Sequence, residues 1–321
     1  MNIVAADVGG TKAWLVMTDT DRPDEVLYEA RYNSRDFDSF EPLLHTFIKE
    51  SGSDDRPLAA LSLALPGVVN DDEARLTNLP WIIKKQSLQA EFGIEQIGFM
   101  NDFQASALGL AHLDDADLIC LNPGVHKNGA IRVAVGAGTG LGVSWTQEDG
   151  DGTRAWSTEG GHVDFAPADE EQVELLRYLG KRHGHVSYER LLSGDGLVAL
   201  YEFCTGRKQA EVDAARVHAA AQHEDEAAVR AMSLFVRVYG AFVGNMALLF
   251  KPQGGIYITG GIAAKIISWM KSDDFISAYS NKGRMRALAE QTSVYLVINE
   301  RVGVLGAIAE AVKQAGRKKW L

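Results

Sequence analysis

The sequence predicts an α/β protein of two domains, in which a β-sheet flanked by helices occurs twice. Two glycine-rich turns, at residues 7–11 and 136–142, indicate this duplication, because each joins two apolar runs that read as strands. The order of elements around the first turn recurs around the second. At 321 residues the chain is also long for one hydrophobic core, so two domains are the natural expectation.

Apolar alternation and turn residues define the elements of the first half of the chain. We predict strands over residues 3–7, 13–18, 26–32, 58–65 and 96–100, and helices over 40–50 and 103–113. Strands over 118–121, 131–135 and 142–146 then restart the order found at the beginning of the chain. This second round of strands supports the duplication.

From residue 170 onward the pattern is mostly helical. We predict helices over 170–183, 188–192, 194–204, 210–222, 227–250, 262–270 and 304–315, and strands over 255–259 and 294–298. The whole pattern predicts a smaller α/β domain, residues 1–110 with 301–321, and a larger α/β domain with helical insertions, residues 111–300.

Composition argues against several classes of protein. A net charge of −11 disfavours a nucleic-acid binder that works through a broad basic face. Cys120 and Cys204 are the only cysteines and have no paired spacing, which rules out a cysteine-rich zinc site and disfavours a disulfide framework. The most apolar run, residues 231–250, is interrupted by Arg237 and Asn245, and the chain begins directly on a strand. We therefore expect a cytoplasmic protein that does not enter the membrane.

The glycine turns predict contacts with phosphate groups. Backbone N–H groups and a threonine hydroxyl can receive phosphate oxygens where no larger side chain intervenes; the candidates are Gly9, Gly10 and Thr11, then Gly138, Thr139 and Gly140. Asp7, at the end of the first strand, is suited to hold a hydrated Mg²⁺. For the first turn, a tight hairpin that needs glycine for positive φ explains the residues equally well. Four glycines within residues 136–142 exceed what a hairpin requires.

Three further sets of residues are candidates for binding or catalysis. Gly260 and Gly261 follow a strand and open a helix, which suits either a nucleoside or a plain strand–helix turn. Asn101 and Asp102 lie between a strand and a helix, where the amide can fix a hydroxyl group and the carboxylate can accept its proton. Helix capping is the alternative for this pair, and both roles can hold together. Further polar side chains that can bind hydroxyl groups are Glu159, His162 and Glu189.

Taken together, these motifs resemble bacterial glucokinases of the sugar kinase/Hsp70/actin superfamily over essentially the whole chain. The resemblance rests on residues 7–11, 65–67, 101–103, 136–142, 159–165, 184–194 and 258–262. It implies a two-domain actin-like ATPase fold, ribonuclease H-like in each half, with a cleft between the domains. The activity it implies is ATP-dependent phosphorylation of the 6-hydroxyl of D-glucose in glycolysis.

The resemblance also implies a role for each candidate. Asp102 would be the general base and, together with Asn101, Glu159, His162 and Glu189, would bind glucose. Phosphates and nucleoside would lie on Gly9, Gly10, Thr11, Gly138, Thr139, Gly140, Gly260 and Gly261, with Mg²⁺ on Asp7. A homodimer is expected on the same ground. No Cys-x-Cys follows residues 161–164, which favours the zinc-free branch, and Lys12 departs from the small polar residue common at its position.

Other functions stay open on the sequence alone. A kinase of mannose, fructose or N-acetylglucosamine would need similar hydroxyl ligands, and the phosphate donor could be ADP or polyphosphate. A sugar-sensing regulator usually carries a DNA-binding segment ahead of the first strand, and this sequence shows none. An actin- or chaperone-like ATPase would have no use for the candidate sugar ligands Asn101, Asp102, Glu159, His162 and Glu189.

Overall fold

The computed structural model describes residues 1–53, 56–150, 152–208 and 212–316, apart from the side chains of Val68 and Asp149. Its contacts divide the chain into two compact units. The first comprises Met1–Asp114, Glu148–Ser157 and Arg301–Leu321, and the second comprises Asp115–Gln147 and Thr158–Glu300. The predicted domains, residues 1–110 with 301–321 and residues 111–300, remain a prediction. They assign Glu148–Ser157 to the larger domain, whereas the contacts place this segment in the first unit. Residues 317–321 of the predicted smaller domain lie outside the described residues.

The described elements alternate strands and helices through the first half, and helices dominate the second. The strands are β1 Asn2–Val8, β2 Lys12–Asp19, β3 Arg22–Asn33, β4 Leu58–Leu65, β5 Gly67–Val69, β6 Glu73–Leu76, β7 Ile82–Lys84, β8 Gln96–Asn101, β9 Leu118–Asn122, β10 Arg132–Ala137, β11 Leu141–Asp149, β12 Gly152–Thr158, β13 Ile256–Thr259 and β14 Val294–Val297. The helices are α1 Phe40–Glu50, α2 Lys85–Phe92, α3 Asp102–Gly109, α4 Glu170–His183, α5 Gly194–Thr205, α6 Ala214–Gln222, α7 Glu226–Phe250, α8 Ile267–Met270, α9 Asp273–Ser280, α10 Arg286–Glu290 and α11 Val302–Gln314.

The first unit is built on a five-stranded sheet of order β3-β2-β1-β4-β8. β1 pairs antiparallel with β2 and parallel with β4, and β4 pairs parallel with β8. In this register Asp7 faces Ala64, and Leu65 faces Asn101. Since parallel strands end at one edge of a sheet, the carboxyl ends of β1 and β8 bring Asp7 and Asn101 to the same edge of this unit.

The second sheet has the order β12-β11-β10-β13-β14-β9. β10 pairs antiparallel with β11 and parallel with β13, as β1 does with β2 and β4, and β14 follows as a further parallel strand. The predicted duplication of a helix-flanked sheet is therefore confirmed. β9 does not begin the second copy, because it pairs antiparallel with β14 at the far edge. The third strand of the repeat is instead β12, which the sequence pattern did not predict.

Helices cover both faces of the first sheet. On one face α1 contributes Phe40 and Phe47 to a cluster with alternate residues of β1, β2 and β4. On the opposite face α3 and α11 pack against the other alternate residues, with Leu108 and Ile308 in the cluster. The alternation of buried side chains along β1 explains both layers, because successive residues point to opposite faces.

The core of the second unit is organised around α7. Within the described residues, the helix Glu226–Phe250 is long and apolar enough to cross a membrane. Its most apolar stretch of 18 residues has a mean hydropathy of 1.5, but 61% of that stretch is buried. Phe235, Tyr239 and Phe242 are fully buried along it. The helix packs against α9, α5 and α6. We conclude that it is the core helix of this unit.

The sequence missed the shorter elements. The small sheet β5-β6-β7, the helices α2, α9 and α10, and strand β12 were not predicted. The helix predicted over 262–270 is a 3₁₀ turn at Ala263–Lys265 followed by the short α8, and that over 210–222 begins at Ala214, with residues 210 and 211 outside the described part. Strands of three or four residues are too short for alternation to identify them.

Candidate active site

The first glycine turn does not use its glycines for left-handed backbone. Neither Gly9 nor Gly10 has a positive φ, so the hairpin explanation does not account for them. The buried Ser34 holds the turn, since its N–H donates to the Thr11 carbonyl at 3.0 Å and its hydroxyl to the Gly9 carbonyl at 2.8 Å. A Cβ on Gly10 would lie 2.6 Å from Cβ of Asn78. In the part of the chain that is described, the N–H groups of Gly10 and Thr11 donate no hydrogen bond.

The second turn is also right-handed or extended at its glycines. The Gly138 N–H donates to the Gly140 carbonyl at 2.8 Å, and the Gly194 N–H donates to the Gly138 carbonyl at 2.9 Å. A Cβ on Gly138 would meet no atom within 4 Å. Neither backbone conformation nor internal packing therefore requires glycine at 138. The exposed Thr139 lies beside it with its hydroxyl side chain at the surface of the unit.

Of the two glycines after β13, the fold requires glycine at 260 but not at 261. Gly260 has φ +89°, and its Cβ would lie 2.7 Å from the Ala137 carbonyl oxygen, so conformation and packing both require glycine there. Gly261 has no such constraint, because a Cβ on this residue would meet no atom within 4 Å. Both are exposed.

Asn101 and Asp102 begin α3, and the capping alternative is correct for Asn101. Its side chain accepts a hydrogen bond from the Phe103 N–H at 3.0 Å, as an N-cap does. The same N–H lies 2.9 Å from Oδ1 of Asp102. Burial raises the pKa of Asp102 despite hydrogen bonds from the backbone N–H groups of Phe103 and Asp102 itself. A half-buried carboxylate of raised pKa is suited to accept a proton.

Asp7 is the most strongly perturbed acid of this edge. Burial, and next the negative charge of Asp102, raise its pKa from 3.8 to about 7. Its Oδ2 also lies against α11, where a Cβ on Gly303 would come within 2.7 Å of it. The first unit therefore brings together two carboxylates whose charges oppose each other, and this pair attracts a cation.

The raised pKa predicts how stability depends on pH. Because the folded pKa of Asp7 is above the ordinary value, the free energy of unfolding falls as pH rises from about 4 to about 7 and the penalty is constant above that. Asp7→Asn should remove the penalty, making the protein more stable than wild type by about 4 kcal/mol at pH 8 and equal near pH 4. Urea titrations in metal-free buffer measure this.

The matched control is Asp71→Asn, since Asp71 is an exposed carboxylate of the same unit. Its difference from wild type should be the same at pH 4 and pH 8. A stability difference between Asp7→Asn and wild type that does not grow with pH would show that Asp7 is ionised in the folded protein at little cost.

In the second unit, Glu189 contacts both the second glycine turn and His162, another of the candidate sugar ligands. Its Oε2 accepts a hydrogen bond from the Leu141 N–H at 3.0 Å. His162 lies between the two acids, with Nδ1 3.8 Å from Oε1 of Glu189 and Nε2 3.7 Å from Oε2 of Glu159. Glu159 is 90% exposed and Glu189 only 29%. The structure thus brings Glu159, His162 and Glu189 into one cluster beside the turn, and Gly140 is close to it, because its Cβ would lie 2.6 Å from Oε2 of Glu189.

The sequence of the chain matches one protein family over nearly its whole length. The glucokinase family profile matches residues 4–314. The chain belongs to the glucokinase family. A glucokinase from Nostoc sp. is 37% identical, with 95% of this chain and 97% of that protein aligned. The predicted resemblance and enzyme class are confirmed by these matches.

Solved structures agree on the fold of this glucokinase-family chain. A glucokinase from an Antarctic psychrotroph superposes with a TM-score of 0.86 at 28% identity, covering 97% of this chain and 99% of that one. A glucokinase from Balamuthia mandrillaris, solved in complex with glucose, gives 0.80 at 19% identity, covering 97% and 93%. The predicted fold class, that of the actin-like sugar kinases, is confirmed.

Sequence reasoning missed residues that support the candidate site without belonging to a motif. Ser34 fixes the first turn from 25 residues away along the chain, and Gly303 makes room for the Asp7 carboxylate from the opposite end of the sequence. A serine after a strand and a glycine in a helix are too common to be noticed without the three-dimensional structure. Lys12 is exposed.

Proposed function

We propose that the chain transfers the γ-phosphoryl group of ATP to the 6-hydroxyl of D-glucose, with Asp102 as the general base. The observation that carries the proposal is the environment of Asp102 in a glucokinase-family chain: the carboxylate is half-buried, of raised pKa, and placed at the start of α3 beside Asn101. A base of raised pKa remains able to take a proton at neutral pH and drives its transfer better than an ordinary carboxylate.

We assign the other glucose hydroxyls to Asn101, Glu159, His162 and Glu189. The supporting observation is the cluster of the last three around His162, since carboxylates and imidazole accept or donate hydrogen bonds to several hydroxyls at once. Asn101 uses its Oδ1 for the helix cap. Its amide N–H groups therefore remain the part of this side chain that can bind a sugar hydroxyl.

We assign the phosphates to the two glycine turns and the nucleoside to Gly260 and Gly261. Free backbone N–H groups at Gly10 and Thr11, with the threonine hydroxyl, suit the oxygens of the transferred phosphate. In the second turn the open side of Gly138 and the exposed hydroxyl of Thr139 suit the remaining phosphates. Gly261 leaves similar room for the nucleoside.

Mg²⁺ fits the donor set at Asp7. Magnesium usually binds proteins through one or two carboxylates while keeping water and substrate phosphates as its other ligands. A cation at Asp7 would offset both causes of the raised pKa of this carboxyl, first its burial and next the repulsion from Asp102. When bound, it would supply positive charge to the phosphates. The chain's own contribution is to hold the Asp7 carboxylate in place against Gly303.

A coupled assay of sugar phosphorylation tests this function. Glucose should be phosphorylated with the highest kcat/KM among glucose, mannose, fructose and N-acetylglucosamine, and ATP should exceed ADP and polyphosphate as donor. If another hexose were phosphorylated faster, that hexose would replace glucose as the proposed substrate. If another donor were required, it would replace ATP. ATP hydrolysis without any sugar acceptor would contradict it.

Two glycine substitutions separate the two proposed subsites. Gly140→Ala should displace the Glu189 carboxylate, because the new methyl group would lie 2.6 Å from it, and should raise KM for glucose about tenfold. Gly138→Ala, the matched control, meets no protein atom and should raise KM for ATP while leaving that for glucose unchanged. Steady-state kinetics with each substrate varied in turn checks both, and equal effects of the two variants on both constants would argue against separate subsites.

We also propose a location and an assembly state for the protein. Since ATP and the acidic composition suit the cell interior, we assign the chain to the cytoplasm, where cell fractionation can test it. The resemblance to bacterial glucokinases implies a homodimer, and sedimentation at micromolar concentration would give twice the mass of the 34.9 kDa chain.

A further inference from the structure

The second unit contains a cavity of about 830 Å³ that none of the roles above uses. It lies between the residues that lead into α4, the middle of α7, and α9 with the turn after it. The volume is within the range of small-molecule sites and larger than a six-carbon sugar requires. Its lining is rich in charged and hydroxyl side chains, so its occupant would be polar.

Lys282 lines this cavity, as do Arg237 and Arg286. Its half-buried ammonium group donates to the Ala241 carbonyl and to Oδ1 of Asn245, each at 2.8 Å. Both acceptors are neutral, and among the described residues no carboxylate lies within 4 Å of the ammonium. Burial lowers the pKa of Lys282. A partly buried charge that is satisfied only by neutral groups is stabilised when an anion approaches.

The other charged groups of the lining indicate what the rest of the ligand would be. Arg237 is held by Asp169 and, at 3.0 Å, by Glu171, while Arg286 pairs with Glu290 at 2.7 Å. The carboxylates of Asp273 and Asp274 also line the cavity, and Asp274 accepts a hydrogen bond from Ser233 at 2.6 Å. Carboxylates would repel a simple anion but accept hydrogen bonds from hydroxyl groups.

The inner wall of the cavity reaches the sugar-binding cluster. Nδ2 of Asn245 donates to the Tyr188 hydroxyl at 3.2 Å, and Tyr188 directly precedes Glu189. The Tyr188 ring packs edge-on against Phe165, three residues after His162, with the centroids 5.6 Å apart. Hydrogen bonds and ring packing thus connect Lys282 with both loops that carry the proposed glucose ligands.

We propose that this cavity binds a small polyhydroxylated anion, such as a sugar phosphate or sugar acid, with its negative group on Lys282 and its hydroxyls on Asp273 and Asp274. The site is distinct from the proposed substrate positions. Through Asn245 and Tyr188 it contacts the loops of the sugar ligands, which is where a metabolite that adjusts glucose affinity would act.

Isothermal titration calorimetry with 6-phosphogluconate, on the full chain at saturating glucose, tests the proposal. We expect one site per chain, binding weakened about tenfold by Lys282→Met, which loses a charge-assisted contact. Lys271→Met, which changes an exposed lysine outside the cavity, should bind as wild type does. Sorbitol and inorganic phosphate titrated separately should each bind more weakly than 6-phosphogluconate.

Several results would overturn the proposal. They are absence of binding at saturating glucose, equal binding by the two lysine variants, and sorbitol binding as tightly as the phosphorylated acid. If Lys282→Met does not fold, Asp273→Ala takes its place, because Asp273 lines the cavity and is one of the two proposed hydroxyl ligands. Binding weakened about threefold in that variant would support the site, and unchanged binding would overturn it. None of these outcomes depends on turnover, so they are separate from failure of the proposed catalytic function.

Discussion

Asp102→Asn is expected to lower kcat for glucose phosphorylation by about 10²–10⁴-fold, the usual contribution of a positioned general base. Asparagine has nearly the shape of aspartate but cannot take the proton of the 6-hydroxyl. The start of α3 should remain intact, because the cap is formed by Asn101. Glucose binding should therefore be nearly unchanged, so that the loss appears in kcat and not in KM.

Rapid-quench measurement of a single turnover, together with glucose binding by calorimetry, separates the chemical step from binding. Asp71→Asn serves as the control, since it removes an exposed carboxylate from the same unit and should keep wild-type turnover. If Asp102→Ala retained near-normal turnover with intact glucose binding, Asp102 would not be the base. Asp7, the other acid of raised pKa at this edge, would then be the next candidate.

Elements with strong local signals could be predicted from the sequence to the residue. The predicted α4, residues 170–183, has the bounds found in the structure. Asp169 caps it by accepting the Gln172 N–H at 2.9 Å, and Gly184 ends it with a positive φ. Both signals are carried by single residues next to the helix, so they are visible in the sequence.

Elements that depend on their neighbours could not be predicted in this way. β12 is mostly exposed or half-buried and lies at the edge of its sheet, so its residues show no buried face to identify it. The three strands of the small sheet are each three or four residues long. Their existence depends on pairing with each other, which a local pattern does not show.

The same division holds for the candidate site. The motif residues could be named as candidates because their types suit phosphate binding, sugar binding or proton transfer. The hydrogen bond from the Leu141 N–H to Glu189 joins residues 48 apart, and Asp7 meets Gly303 from the far end of the chain. Such contacts show that the second glycine turn is fastened by a proposed sugar ligand, and only the fold can bring these residues together.

Gly306→Ala should destabilise the first unit by about 3 kcal/mol, the upper part of the usual range for overpacking. α3 and α11 cross in direct backbone contact, because a Cβ on Gly306 would lie 1.8 Å from the Ala105 carbonyl oxygen and one on Gly109 would lie 1.9 Å from the Val302 carbonyl oxygen. The helices must move apart to admit a methyl group. α3 begins with Asp102, and α11 carries Gly303 against Asp7. The molecules of this variant that remain folded should therefore also have a lower kcat than the wild type.

Gly180→Ala is the matched control, because Gly180 also lies inside a helix but has no atom within 4 Å of a new Cβ. Without a clash, alanine should increase the free energy of unfolding by about 0.5–1 kcal/mol through its better helix propensity. Chemical denaturation followed by circular dichroism compares the two variants. Equal effects of the two substitutions would mean that the helix crossing adapts freely. A loss of stability in Gly306→Ala with unchanged kcat would mean that the crossing supports the core but does not position Asp7 and Asp102.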